Sequence, residues 1–79
     1  MDLQEFIERF AEQFEETGAS QFRADTKFKE LVDWNSMVAL SIIAMVDNEY
    51  GVIIKGEDIR KSETVEDLFD CAKEYKSQA

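Results

Sequence analysis

The chain has 79 residues, 44% of them hydrophobic, and a formal net charge of −9, which suits a single domain (residues 1–79) with one modest core. The acidity argues against binding to nucleic acid or anionic lipid, and the longest uncharged run, residues 34–46, is too short for membrane insertion. The absence of histidine excludes Ser–His and Cys–His nucleophile pairs, and the lone cysteine excludes an internal disulfide, so we predict a cytoplasmic protein that is not an enzyme.

The first predicted element is an amphipathic helix over residues 2–16. Its apolar residues recur at the spacing of one helical face: Leu3, Phe6, Ile7, Phe10 and Phe14. Asp2 stands at the N-terminus, where the helix dipole favours an acid. Gly18 is predicted to end the helix, because glycine readily adopts the left-handed conformation of a C-terminal cap.

Residues 17–35 are predicted to form an irregular connection, which is long for a domain of this size. Three apolar residues recur along it: Phe22, Phe28 and Leu31. We expect these side chains to hold the loop across the helices, with a short helical turn over residues 27–31.

The second helix is predicted to begin at Asn35 or Ser36 and to end at Tyr50. Asn35 is a favourable N-cap and Gly51 a favourable stop. One face carries Leu40, Ile43, either Val46 or Asp47, and Tyr50, and the opposite face carries Val38, Ser41, Met45 and Asn48. Because a domain of this size cannot easily bury a helix on both faces, we predict that one face is a contact surface.

The last third of the chain predicts an extended linker, a short helix and a final long helix. The β-branched residues 52–54 form the linker, and residues 57–61 form the short helix with Ile59 pointing inward. Thr64 is predicted to cap the final helix through an acidic capping box with Asp67. The apolar stripe of that helix is Val65, Leu68, Phe69, Ala72 and Tyr75.

Together these elements predict an all-α fold, a bundle of three main helices and one short helix with a long loop between helices 1 and 2. The acidity also raises the possibility of a calcium-binding helical protein. We reject this because residues 47–58 place Gly51 fifth instead of sixth, and fill the middle of the loop with apolar residues. No metal site is expected.

Four features follow one another in a fixed order: an acidic amphipathic helix, a long loop, Trp34-Asn35-Ser36-Met37 at a helix start, and a further helix start at residues 63–68. In this order and at this length, the chain resembles an acyl carrier protein over essentially its whole extent. Asn35-Ser36-Met37 stands where the family has Asp-Ser-Leu. The resemblance implies the acyl-carrier-protein fold, a four-helix bundle with a short third helix.

The resemblance also implies that Ser36 carries 4′-phosphopantetheine, transferred from coenzyme A by a phosphopantetheinyl transferase, with Asn35 and Met37 completing the attachment motif. Acyl groups would then be held as thioesters and presented to acyl-transferring or acyl-modifying enzymes that dock on helix 2. The residues agree with this, because a serine in the first turn of a helix lies beside unpaired N–H groups that favour phosphate. With no histidine in the chain, the activating base must come from the transferase.

The first departure from the family pattern is Asn35, which replaces the usual aspartate. Asparagine still caps the helix, but it offers no carboxylate to a transferase or its metal ion. Asp33 and Glu30 lie close enough along the chain to compensate. This departure bears on the efficiency of modification and the choice of transferase more than on the attachment site.

The second departure is the exposed face of helix 2, where the family usually carries acids. Here those positions read Val38, Ser41 and Met45. We predict a docking surface that is apolar at its centre and has acids, including Asp33 and Glu57, at its rim, as many protein interfaces do. Such a surface favours a dedicated set of partners over the general enzymes of fatty acid synthesis.

Two functions follow from these observations. The first is a stand-alone, monomeric carrier protein, favoured by the initiating Met1 and the polar end at residues 76–79. The sequence leaves three kinds of cargo possible: acyl, polyketide-type and aminoacyl groups. A tryptophan just before the serine, here Trp34, resembles the pattern of carriers that hold amino acids. If a chain enters the bundle, its cavity is predicted to be lined by Ile43, Val46, Ile59 and Leu68. The second function is a non-covalent adaptor that keeps the carrier fold but has no functional arm.

Overall fold

The structure is a computed structural model that describes residues 1–78. Its four α-helices are, in chain order, α1 (Leu3–Ala11), α2 (Ser36–Tyr50), α3 (Gly56–Lys61) and α4 (Val65–Gln78). The long loop between α1 and α2 contains two 3₁₀ turns, at Ala19–Gln21 and Phe28–Glu30. No strand occurs within residues 1–78, and the predicted all-helical fold of three longer helices and one short helix is confirmed.

Helix α1 ends at Ala11, so the prediction of a helix over residues 2–16 was wrong at its C-terminal end. Beyond Ala11 the backbone hydrogen-bond pattern changes. The Gln13 N–H donates to the Phe10 carbonyl and the Phe14 N–H to the Ala11 carbonyl, each at 3.1 Å. These bonds span three residues, which is the 3₁₀ pattern. Phe14 remains buried, so the apolar stripe identified the buried side correctly although the helix is shorter.

The core is built around a chain of aromatic rings that joins α1 to the long loop. Phe10 and Phe28 are fully buried and pack edge to face, with ring centroids 5.2 Å apart. The ring centroids of Phe14 and Phe22 lie 4.9 Å apart, and those of Phe28 and Trp34 lie 5.1 Å apart. The prediction that phenylalanines hold the loop across the helices is confirmed. Edge-to-face geometry adds a modest stabilisation beyond the burial of apolar area.

Helix α2 has the predicted bounds. The Asn35 side-chain oxygen accepts a hydrogen bond from the Val38 N–H at 3.0 Å, which is the N-cap interaction. Gly51 ends the helix in the left-handed conformation (φ 68°), which glycine adopts without a steric penalty. The C-terminal end of α2 is also held from α4, because the Lys76 ammonium donates to the Tyr50 carbonyl at 2.8 Å.

Helices α3 and α4 close the bundle. Residues 52–54 belong to no helix or strand, with Val52 and Ile54 buried and Ile53 exposed. Ile59 is buried as predicted. The Tyr75 hydroxyl of α4 donates to the Asp58 carboxylate of α3 at 3.0 Å, which joins these two helices. Among residues 1–78, no helix combines the length and apolar character needed to cross a bilayer.

Candidate functional site

Ser36 is the first residue of α2, and its side chain is exposed. Its hydroxyl has no hydrogen-bond partner within residues 1–78. The Asn35 N-cap fixes the direction of the backbone here, because its side chain holds the Val38 N–H from the preceding turn. The serine oxygen is therefore presented at a capped helix start and is accessible from solvent.

Two backbone donors lie open beside this hydroxyl. Of the first four N–H groups of α2, those of Val38 and Ala39 are bonded to the side chain and the carbonyl of Asn35. The N–H groups of Ser36 and Met37 have no acceptor among residues 1–78. Unpaired donors at a helix N-terminus favour an anion, both by hydrogen bonding and through the helix dipole.

A cavity of about 310 Å³ lies next to Ser36, between the start of α2, the end of the loop and α3. Its walls come from eight residues: Lys29, Trp34, Asn35, Ser36, Ala39, Gly56, Ile59 and Arg60. Of the four residues predicted to line a cargo cavity, Ile59 is in this wall. Val46 and Leu68 are fully buried in the packed core and do not line this cavity.

Lys29 and Arg60 give this cavity positive charge in a strongly acidic protein. The Lys29 ammonium donates to the Arg60 carbonyl at 2.8 Å, which fixes the loop against α3. Neither residue was predicted from the sequence, since the two are far apart along the chain and neither belongs to a motif. Only the packing of the loop on α3 brings the two cations to the same wall.

Asp33, predicted as a compensating acid and a rim residue for partners, has an internal structural role. Its carboxylate accepts hydrogen bonds from the Glu16 and Thr17 N–H groups, both at 3.1 Å, and from the Thr17 hydroxyl at 2.6 Å. The hydroxyl bond, aided by the backbone donors, holds the pKa of Asp33 below its ordinary value despite partial desolvation. Asp33 therefore braces the two ends of the long loop beside the start of α2.

The predicted docking face of α2 needs correction. Met45 is buried at 6% exposure, so it belongs to the core and cannot form part of a docking surface. Val38 is half-buried and Ser41 is exposed. The residues buried on α2 follow one helical face: Ile42, Met45, Val46 and Tyr50. Because the helix is apolar nearly all round, its periodicity could not decide which face turns inward.

The outward face of α2 carries different apolar residues from those predicted. Met37 is 73% exposed and Leu40 is 61% exposed. The sequence pattern groups Leu40 with Ile43 and Val46, so the predicted faces were rotated about the helix axis. Val32, in the loop that leads to α2, is 88% exposed. Three exposed large apolar side chains therefore lie within four residues of Ser36 along the chain.

Two further titratable residues lie on α3 and α4. Glu57, predicted as a rim residue, is exposed on α3 and its carboxylate lies 3.2 Å from the Lys61 ammonium. On α4, partial burial and the neighbouring Asp58 raise the pKa of the Cys71 thiol to about 11. The thiol is therefore protonated near neutral pH and is not an activated nucleophile.

A scan against protein-family models found no family that matches this chain, and searches among curated proteins and solved structures found no similar protein. The resemblance to acyl carrier proteins over the length of the chain therefore stays a prediction from the sequence.

Proposed function

We propose that this chain is an acyl carrier protein that bears 4′-phosphopantetheine on Ser36. Its cargo would be acyl or related carboxylic or aminoacyl intermediates of lipid or secondary-metabolite biosynthesis. The observation that carries the proposal is the exposed Ser36 hydroxyl at the start of α2, beside the open N–H groups of Ser36 and Met37. An attached phosphodiester would gain from both donors and from the helix dipole.

The attachment reaction needs an external enzyme. The Ser36 oxygen forms a bond to the phosphorus of the phosphopantetheine half of coenzyme A, and the bond from that phosphorus to the adenosine bisphosphate half breaks. The serine proton passes to a base of the transferase, since the chain has no histidine to accept it. The chemistry supplied by the attached group is a terminal thiol that holds the cargo as a thioester.

The cavity beside Ser36 supports the proposal through its charge and shape. Lys29 and Arg60 line it and would partly neutralise a phosphodiester in an otherwise acidic protein. Trp34 and Ile59 provide apolar wall next to the same serine. The residues present therefore fit a group that combines a phosphate with a longer, less polar arm.

Intact-mass spectrometry tests this function. The chain is co-expressed with each of several phosphopantetheinyl transferases of different specificity, and its mass is compared with that of the unmodified protein. We expect a gain of one phosphopantetheine unit that disappears in Ser36→Ala. The matched control is Ser41→Ala, which changes an exposed serine on the same helix and should keep the gain. Absence of any gain with every transferase would overturn the proposal.

The second candidate function is a non-covalent adaptor that has the same bundle but no arm. Two observations favour it: Asn35 stands where the family has an aspartate, and α2 presents Met37 and Leu40 to solvent. Both functions use α2 to contact a partner, but only the carrier needs Ser36. In the adaptor, Ser36→Ala would leave partner binding and cellular function unchanged.

A further inference from the structure

The cavity beside Ser36 differs in charge from the rest of the molecule. Acidic residues outnumber basic residues by 18 to 9 in the chain, yet the cavity wall contains two basic residues, Lys29 and Arg60, and no acidic one. Beside the serine the wall has Asn35, a neutral residue. A negatively charged group that enters the cavity therefore meets two cations and no like charge in the wall.

Both cations are available to a ligand. Neither Lys29 nor Arg60 forms an ion pair within residues 1–78, although Glu30 and Glu63 share a neighbouring cavity with Lys29. A side chain added at Gly56 would meet the Arg60 Nη1 atom at 3.8 Å, so the guanidinium lies against another residue of the cavity wall. The Lys29 ammonium gives one N–H to the Arg60 carbonyl and has further donors to offer.

The two cations lie on the α3 side of the cavity, whereas a phosphate on Ser36 would lie at the start of α2. Arg60 belongs to α3, and the Lys29 ammonium is bonded to its carbonyl. A phosphodiester on Ser36 would take its hydrogen bonds from the open N–H groups of α2 and would feel the cations through longer-range attraction. The donors on the α3 side therefore remain for a second anion.

The rest of the wall suits a short apolar segment, which would lie against Trp34, Ala39 and Ile59. The Trp34 ring packs edge to face on the fully buried Phe28, with ring centroids 5.1 Å apart, so this wall is backed by the packed core. The cavity volume of about 310 Å³ is at the lower end of the range for small-molecule sites, roughly 300–1,000 Å³. A long chain would have to displace packed core side chains, which is costly.

We propose that Lys29 and Arg60 select a short acyl cargo with a second carboxylate at its far end. The apolar segment of such a dicarboxylic acyl group would lie against Trp34 and Ile59, and its carboxylate would accept charge-assisted hydrogen bonds from the two cations. The inference rests on the proposed carrier function, because an arm on Ser36 is what brings the cargo back to this cavity. A methyl-ended chain of equal length gains nothing from either cation.

The test attaches the cargo chemically and therefore needs no transferase. Ser36→Cys combined with Cys71→Ser leaves one thiol in the chain, at the attachment position. This thiol is alkylated with a haloacetamide that carries a linker of pantetheine length and a terminal succinyl group. A matched probe ends in succinamoyl, which replaces the carboxylate by a neutral amide of nearly the same size.

The reference position is Ser77→Cys, again combined with Cys71→Ser. Ser77 is exposed on α4 and follows Lys76, whose ammonium contacts the Tyr50 carbonyl at the opposite end of α2. The same succinyl probe attached there experiences the acidic protein but is held at the other end of the bundle from the cavity.

The measurement is the pKa of the succinyl carboxylate, followed by carbon-13 NMR of the labelled group. The net charge of −9 raises the pKa of a carboxylate at the surface, whereas two adjacent cations lower it. We expect the pKa at the Ser36 position to lie about 0.5 pH units or more below that at the Ser77 position. At pH 7, nuclear Overhauser effects should join the succinyl methylenes to Trp34 and Ile59, and should weaken with the succinamoyl probe.

Variants that remove one positive charge identify the cations responsible. Arg60→Gln keeps the backbone carbonyl that Lys29 contacts, and it should raise the carboxylate pKa by about 0.3 pH units. Lys29→Gln should have an effect of the same size. The matched control is Lys27→Gln, which makes the same change in net charge at an exposed residue outside the cavity wall. It should change the pKa by less than about 0.1 pH units.

Any one of three results would overturn the proposed cargo. One is a carboxylate pKa at the Ser36 position equal to or above that at the Ser77 position. Another is contact of the succinamoyl probe with Trp34 as strong as that of the succinyl probe, since the apolar segment alone would then hold the cargo. The third is an effect of Lys27→Gln equal to that of Arg60→Gln, which would reflect net charge alone.

These outcomes are distinguishable from those of the mass experiment. A phosphopantetheine gain with no lowering of the carboxylate pKa would leave the carrier function standing and overturn the dicarboxylic cargo alone. A lowered pKa without any phosphopantetheine gain would overturn the carrier function, and with it the cargo, while showing that the cavity itself prefers a carboxylate.

Discussion

Helices α2 and α4 begin in opposite ways, although both have a polar N-cap. In α4 all of the first four backbone N–H groups have acceptors. Those of Val65 and Glu66 donate to the carbonyls of Thr26 and Ala24 in the long loop, at 3.1 and 2.9 Å. The next two donate to the hydroxyl and the carbonyl of Thr64. The Asp67 carboxylate in turn accepts from the Glu63 and Thr64 N–H groups.

The start of α2 lacks such a complete set of hydrogen-bond acceptors. Asn35 satisfies two N–H groups, those of Val38 and Ala39, and the N–H groups of Ser36 and Met37 point to no acceptor within residues 1–78. No carboxylate follows in its first turn. The two helix starts therefore have different roles: the start of α4 is joined to the loop as part of the fold, whereas the start of α2 is left with donors that suit an external anion.

The largest effect on stability is expected at the start of α4. Removing the capping box with Thr64→Ala and Asp67→Ala together should lower the free energy of unfolding by about 2 kcal/mol, because each cap residue contributes about 1 kcal/mol. Urea unfolding at pH 7 measures the change. Glu66→Ala is the control, since its side chain makes no cap bond, and it should cost less than about 0.5 kcal/mol. If the double variant lost no more stability than Glu66→Ala, the capping box would not stabilise the start of α4.

A smaller effect on stability is expected at the start of α2. Asn35→Ala removes the only side-chain cap of α2 and should cost about 1 kcal/mol in urea unfolding. Asn35→Asp keeps an accepting oxygen at the same position and should leave stability within about 0.5 kcal/mol of the parent. Equal losses in the two variants would mean that the cap bond to Val38 does not contribute.

The open donors themselves can be tested with a fixed negative charge. Met37→Asp places a carboxylate in the first turn of α2 and should raise the free energy of unfolding by about 0.5 kcal/mol through the helix dipole and the unpaired N–H groups. Ser41→Asp adds the same charge at an exposed position farther along the helix and should give no gain. Thermal unfolding at low ionic strength measures both variants, and a gain in Ser41→Asp equal to that in Met37→Asp would contradict the argument.

The smallest change in stability is expected at Asp33, which braces the long loop beside the start of α2. In an Asp33→Asn variant the new side-chain amide could still accept from the backbone N–H groups and donate to the Thr17 hydroxyl, so the loop should keep its path. What is lost is the charge. Because the folded pKa of Asp33 lies below its unfolded value, its charge stabilises the fold above the unfolded pKa of about 3.9.

That contribution disappears as the pH falls through the folded pKa. The difference in urea midpoint between the parent chain and Asp33→Asn should therefore be positive at pH 7 and shrink progressively below about pH 4. A difference that stays constant between pH 7 and pH 2 would show that the Asp33 charge does not stabilise the loop. Unfolding curves of the two proteins at matched ionic strength provide the measurement.

Local sequence patterns were sufficient for the ends of α2 and the start of α4. Asn35, Gly51 and Thr64 act through neighbours within four residues, so their caps could be predicted from spacing alone. The path of the chain after α1 could not, because the bond from the Glu16 N–H goes to Asp33, seventeen residues away. A local pattern contains no information on that partner.

The candidate site divides in the same way. The position of Ser36 in the first turn of α2 followed from the sequence, and its exposure makes it a reactive candidate. The cations Lys29 and Arg60 did not follow, since they come together only when the loop packs on α3. The same holds for the outward face of α2, where Leu40 and not Met45 meets solvent.

The sequence by itself determined the helical class, the caps of α2 and α4, and the serine at the head of α2, because these depend on residue type and on spacings of a few residues. Only the tertiary structure decided which side of α2 is buried. That helix is apolar nearly all round, so its own periodicity leaves the choice open. The choice is made by packing against α1 and α3, which buries Met45 and leaves Met37 and Leu40 exposed beside Ser36.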